Sequence, residues 1–221
     1  MKLPFTVEEF FYVFERYNLS LWPFQFVLYV LALAILFCIF WSSPRTDKVV
    51  FFILAFLWFW MGVVYHIIYF SSINRAAYLF GVLFIIQGLI FLYSGVVRKA
   101  IALHPRFDRF SIIGAILIIY AMIGYPILGH ILGHIYPQAP TFGVPCPTTI
   151  FTFGVLLFSS KRVSWHMLLI PFLWSIVGFF AAVSLYVKED FVLAIAGFIS
   201  TFVLVRRKPR GAVEENFVVK S

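Results

Sequence analysis

The sequence predicts an all-α protein: a polytopic transmembrane bundle of about seven helices, with an N-terminal amphipathic surface helix. Three observations carry this expectation. Of the 221 residues, 63% are hydrophobic and only 12% are charged, against about 25% charged in a soluble domain. The mean hydropathy is +1.00, and no aqueous fold has enough interior to hide that much apolar surface. Seven long stretches of the chain contain no charged residue, and lipid is the solvent that such stretches fit.

The first element is read from "FTVEEFFYVFERYN". Thr6 followed by Glu9 is a capping box, and Phe5 and Phe10 fall at the two staple positions. Val7, Phe10, Phe11, Phe14 and Tyr17 recur at helical spacing, with Glu8, Glu9, Glu15 and Arg16 on the other face. Residues 1–19 are therefore expected to lie on a membrane as an interfacial anchor or as a lid over a site below. The start does not read as a cleavable signal, because acids follow Lys2 and no A-x-A end follows the first apolar run.

The seven runs fall at about 20–42, 49–70, 77–97, 110–133, 141–160, 165–187 and 191–205 within a transmembrane domain of 20–206. A crossing needs about 20 residues, so the last is short. The fifth is interrupted by Pro145 and Pro147. Charge decides whether it crosses. With seven crossings and the N-terminus outside, 13 of the 17 basic residues fall inside: Arg45, Lys48, Arg98, Lys99, Arg106, Arg109, Lys161, Arg162, Arg206, Arg207, Lys208, Arg210 and Lys220. If the fifth run only dips in and returns, the inner share drops to 7. The positive-inside rule favours the first arrangement, N-out and C-in. The basic tail, 207–221, is then cytoplasmic and suited to anionic lipid, as are the basic inner loops. No basic, aromatic-interleaved motif points to nucleic acid. Two short stretches, "LFGVLF" and "TFGVLLF", resemble each other, but such apolar matches arise easily by chance.

No Asp, Glu, Lys or Arg lies inside any run, so a site at membrane depth has to be built from His, Cys, Gln, Ser, Thr, Tyr or bare backbone. The topology gathers His66, His130, His134 and Cys146 toward the outer end. His130 and His134, four apart, share a helix face, and with His66 and Cys146 they suggest a set for zinc or copper. The competing reading is that they cap the free carbonyls of the last turn, with Gly133 ending the helix. His104 and His166 fall on the cytoplasmic side as interfacial residues. Cys38 and Cys146, at opposite faces, are expected not to pair.

Pro145 and Pro147 lack amide hydrogens, so a helix through them would leave the carbonyls of Thr141 and Gly143 unpaired. The segment is expected to line a wet cavity or to pack inside the bundle, with Thr148 or Thr149 capping a new helix start. Unwound backbone at a helix start is how broken transporter helices hold substrate; a buried turn is the alternative. Thr141, Gly143, Pro145, Pro147, Thr148 and mid-membrane Gln87 are the candidate pathway residues. Gln87 alternatively bonds a neighbouring helix.

"LPFTVEEFFYVFERYN", "NRAAYLFGVLFIIQGLIFLYSGVV" and "YPILGHILGHIYPQAPTFGVPCPTTIFTFGVLLF" together resemble a family of bacterial multi-pass membrane proteins known only as a domain of unknown function. The resemblance spans most of the chain and implies the bacterial inner membrane, but no activity and no site residue. The expected function is a small permease, channel or carrier with its site at the outer His/Cys cluster. The alternatives are a structural or assembly subunit, in a homo-oligomer or a membrane complex, and a haem or redox protein with His66 and His130 as axial ligands. An enzyme is not favoured, because no carboxylate stands near the histidines in the membrane and no nucleophile signature accompanies them.

Overall fold

Thr6 opens the first helix by the expected exchange: Glu9 N–H donates to the Thr6 hydroxyl at 3.2 Å and Thr6 N–H donates to the Glu9 carboxylate at 2.8 Å. The Phe5 and Phe10 rings stack at 6.0 Å. This helix, α1 (Val7–Ser20), buries Phe10, Val13, Phe14, Tyr17 and Asn18 against the bundle. A computed structural model describes residues 4–98, 101–105 and 108–207 of the chain. The basic tail beyond Arg207 lies outside the described residues, as do Lys2, Lys99 and Arg106.

Seven further helices follow among the described residues: α2 (Phe24–Trp41), α3 (Pro44–Ser72), α4 (Ala77–Val97), α5 (Arg109–Ile131), α6 (Pro145–Leu156), α7 (Trp165–Leu185) and α8 (Phe191–Arg206). Five of them, α2, α3, α4, α5 and α7, are long and apolar enough to cross a membrane. The described residues hold no β-strand, only two isolated bridges. Large apolar side chains such as Phe37, Phe40, Phe52 and Phe202 point outward, as expected where the solvent is hydrocarbon rather than water.

The short α6 is the centre of the bundle. Its 12 residues are all buried except Cys146, which is half-buried. A helix apolar on every side belongs inside a protein, and at 1.5 Å per residue this one is only about 18 Å long. The expected break in the fifth run takes a different form. Pro145 and Pro147 occupy the first turn of α6, where the missing amide hydrogens would have no helical partner anyway. Trp58 of α3 anchors the helix from the side, donating from Nε1 to the Thr152 hydroxyl at 3.1 Å. That hydroxyl in turn donates to the Thr148 carbonyl at 2.8 Å.

Two prolines do lie inside helices, and both are compensated in the same way. Pro171 of α7 removes the donor for the Met167 carbonyl four residues earlier, and Gln87 of α4 supplies one from Nε2 at 3.0 Å. Pro126 of α5 does likewise to Met122, whose carbonyl accepts the Tyr29 hydroxyl of α2 at 3.2 Å. In hydrocarbon a freed carbonyl has no water to turn to, so a neighbouring helix must furnish the donor.

The glycines of the two similar stretches have matching roles. Gly81 lies backbone to backbone against Gly62, and Gly154 against Gly114. A Cβ on either member of each pair would stand 2.7–2.9 Å from the other's carbonyl oxygen. Hence α3 meets α4, and α5 meets α6, at the closest approach a helix pair allows.

The two ends of the bundle differ. At the end opposite α1, Asp47 accepts the Leu103 amide at 3.1 Å, Ser42 bonds the Leu103 carbonyl and the His104 ring, and Ser94 bonds His166. Exposed Arg45, Arg98, Arg109, Lys161, Arg162 and Arg206 ring this end. Cys38 lies toward it and Cys146 at the other; both are free.

Candidate functional site

The α1 end is organised by the loop between α5 and α6. The last turn of α5 closes in a Schellman motif: Gly133 N–H donates to the His130 carbonyl at 3.1 Å and His134 N–H to the Gly129 carbonyl at 2.9 Å, with Gly133 at φ +94°. The helix therefore ends between the two histidines. His130 is left on the exposed end of α5, and His134 enters the loop. They do not share a helix face, and the expected two-imidazole arrangement is not formed.

From His134 the chain turns back under α1. Asn18, fully buried, donates to the carbonyls of Pro137 and Ala139 at 2.7 and 2.8 Å and accepts from the Thr141 hydroxyl at 2.9 Å. Gly143 then takes φ +102°. Its amide donates to the Thr148 hydroxyl at 3.0 Å, and its carbonyl accepts the Tyr17 hydroxyl at 3.5 Å. Tyr17 is held by Trp60, whose Nε1 donates to it at 2.7 Å. The Thr141 carbonyl accepts the Val144 amide at 3.2 Å. Both carbonyls expected to be orphaned are thus paired, and the segment packs inside the protein as a buried turn. Val144, not a threonine, occupies the cap position.

This turn delivers Cys146 to a cluster that the sequence reading did not find. Glu189 and Asp190, in the tight connection between α7 and α8, are both buried. Glu189 shares a 2.6 Å hydrogen bond with His134 Nδ1, and its backbone carbonyl accepts the Tyr120 hydroxyl at 2.7 Å. The second carboxylate oxygen, Oε2, has no partner among the described residues. Asp190 accepts the Tyr125 hydroxyl at 2.5 Å. The Cys146 thiol stands beside the Asp190 carboxyl and the Trp174 indole. Burial pushes the Asp190 carboxyl up to about 7, against the lowering effect of the Tyr125 hydroxyl and the nearby Cys146 thiol, while the Glu189 charge pushes it further up. Phe11 of α1 covers the His134 ring at 4.7 Å. A carboxylate does stand next to a histidine here, contrary to the sequence expectation.

The remaining candidates lie apart. His66, on the π-helical stretch Met61–Tyr69 of α3, is fully buried with both ring nitrogens unpartnered among the described residues. Rings of Tyr65, Phe70, Phe80, Phe84 and Trp174 wall it in at centroid distances of 4.6–6.1 Å. His130, by contrast, is exposed at the end of α5 and is not among the rings around it. Among the described residues no three His, Cys, Asp or Glu side chains are disposed to hold a metal ion, and the zinc or copper set is not assembled. Gln87 donates to the Met167 carbonyl of α7, and its Oε1 has no partner among the described residues.

Fold and site together define a class: an all-helical bundle with several helices apolar enough for a membrane, and a buried carboxyl–histidine cluster at one end. Within that class, residues 7–215 match the Family of unknown function (DUF6064), and the chain belongs to that family. No curated protein and no solved structure matches it.

Proposed function

We propose that the chain is a small permease of the carrier type in the bacterial inner membrane, whose site is the cluster of Glu189, Asp190, His134, Tyr125 and Cys146. One observation carries this reading: two adjacent carboxyls are buried at one end of the bundle with no lysine or arginine in ion-pair reach among the described residues. Burying acids costs several kcal/mol per charge without a partner, and ionisable groups in lipid-embedded folds mark substrate and ion pathways. Thr141, Gly143, Pro145, Pro147 and Thr148 serve this site by seating Cys146, rather than as a pathway of their own.

The same reading has seven crossings, with α1 on the outer surface and the C-terminus in the cytoplasm. Two features support it. Because neighbours wrap α6, its depth does not depend on a 20-residue apolar length. The exposed basic ring at the end opposite α1 fits the anionic cytoplasmic leaflet, at about 1 kcal/mol per basic residue near the surface.

The test is uptake into proteoliposomes of a labelled panel of amines, amino acids and divalent metal ions. The expected result is uptake of at least one solute above empty vesicles, lost in Glu189→Gln and Asp190→Asn. Uptake equal to empty vesicles across the panel overturns the carrier in favour of an assembly subunit.

A further inference from the structure

We propose that the ligand of the Glu189–Asp190 pair is a proton, and that His134 is the group through which it exchanges with water. The inference deepens the carrier reading, on which it rests, by naming the coupling ion.

Space is the first constraint. Glu189 is wholly buried, and its Oε2 lacks a partner among the described residues. Such an oxygen is costly to leave bare, so something must satisfy it when the pair is charged. The carboxylate is packed against the backbone of α5: a Cβ added at Gly129 would stand 3.2 Å from Glu189 Oε1. The described residues offer no set of ligands for a metal ion either. A proton needs neither room nor a coordination shell.

The second is charge. From α5 the pair faces the Tyr120 and Tyr125 hydroxyls. From the loop it faces His134, and from α6 the Cys146 thiol. Tyr65 of α3 lies within electrostatic reach of Asp190. From α1 comes only the Phe11 ring over His134, while Glu15 of that helix is occupied with Gln138. Lys188, the neighbour in sequence, is exposed. Among the described residues the imidazole is therefore the one nitrogen base against two acids. Neighbouring buried carboxyls resist double ionisation. Burial alone already lifts the Asp190 carboxyl.

The third is access. The His134 side chain is 15% exposed while that of Glu189 is 0% exposed. Protonation from water at Nε2 lets the Nδ1 proton pass along the 2.6 Å bond to Glu189 Oε1. Imidazolium and carboxylate become imidazole and carboxylic acid, with no net redox change.

The test is an infrared titration of the purified chain in lipid, following the carboxyl C=O stretch. The expected result is a protonated-carboxyl band at neutral pH that disappears on alkalinisation and is lost in Asp190→Asn. Its midpoint shifts in Glu189→Gln, and its response to a pH jump slows in His134→Gln. Isotope labelling of aspartate carboxyls in the wild-type chain reads the same band should a variant fail to fold. Carboxyls that stay ionised from acid to alkaline pH overturn the proposal, as does a band indifferent to all three substitutions. Uptake that depends on Glu189 while both carboxyls stay ionised sinks the proton and spares the carrier. A titrating band with no uptake of any solute does the reverse.

Discussion

Glu189 and His134, 55 residues apart in sequence, are joined by a 2.6 Å hydrogen bond that ties the α7–α8 turn to the loop after α5. The bond closes one end of the bundle over a second acid, Asp190, whose carboxyl is lifted to about 7 chiefly by burial.

That lift makes stability depend on pH. The folded state holds a proton that the unfolded chain releases near pH 4, so the folded form is favoured at low pH and loses that advantage as pH rises through about 7. The full effect is on the order of a few kcal/mol, since each tenfold change in proton affinity is worth about 1.36 kcal/mol. Thermal unfolding in nanodiscs should show a midpoint that falls across this window in wild type and a flatter profile in Asp190→Asn. An equal slope in both removes Asp190 as the source.

Gly143 and Gly133 both have positive φ, but they differ in surroundings. A Cβ at Gly143 would lie 2.2 Å from Leu28 Cδ1, whereas none lies within 4 Å at Gly133. Gly133→Ala should cost about 1 kcal/mol, and Gly143→Ala should cost more, roughly 3 kcal/mol, through strain and clash together. Detergent-resistance midpoints check the order; equal losses would refute the packing of this turn.

The Gln87–Met167 bond exists because Pro171 has no amide hydrogen. Gln87→Leu should therefore destabilise by about 1 kcal/mol, and should cost clearly less in a Pro171→Ala background, where the helix bonds its own carbonyl. A double-mutant cycle reads the coupling directly. Additive effects would mean that Gln87 does not replace the proline's donor.

Topology is open to thiol chemistry. His130 and Lys161 are exposed at opposite ends of the bundle. In intact cells a membrane-impermeant maleimide should label His130→Cys and spare Lys161→Cys until the membrane is opened. The reverse pattern inverts the orientation.

Much of the architecture could be read from residue order, because lipid imposes simple rules. The capping box at Thr6 and Glu9, the charge-free runs and the end of α5 at Gly133 are all local patterns. The site was not legible for a physical reason. Lys188-Glu189-Asp190 separates two apolar runs and reads as a solvated turn, and nothing local says that two of its three residues fold inward. The available signal was brevity: three residues between helices leave little chain to project into water. The buried turn was among the sequence readings, but the two carbonyls expected to be orphaned are paired, because a proline's effect depends on where the helix starts and Val144 set that point.

The burial of α6 on every side has a consequence for biosynthesis. Part of its surface is covered by α7 and α8, which leave the ribosome after it. The faces it turns to those two helices are covered only when the C-terminal hairpin arrives, so packing around the middle of this polypeptide is completed last.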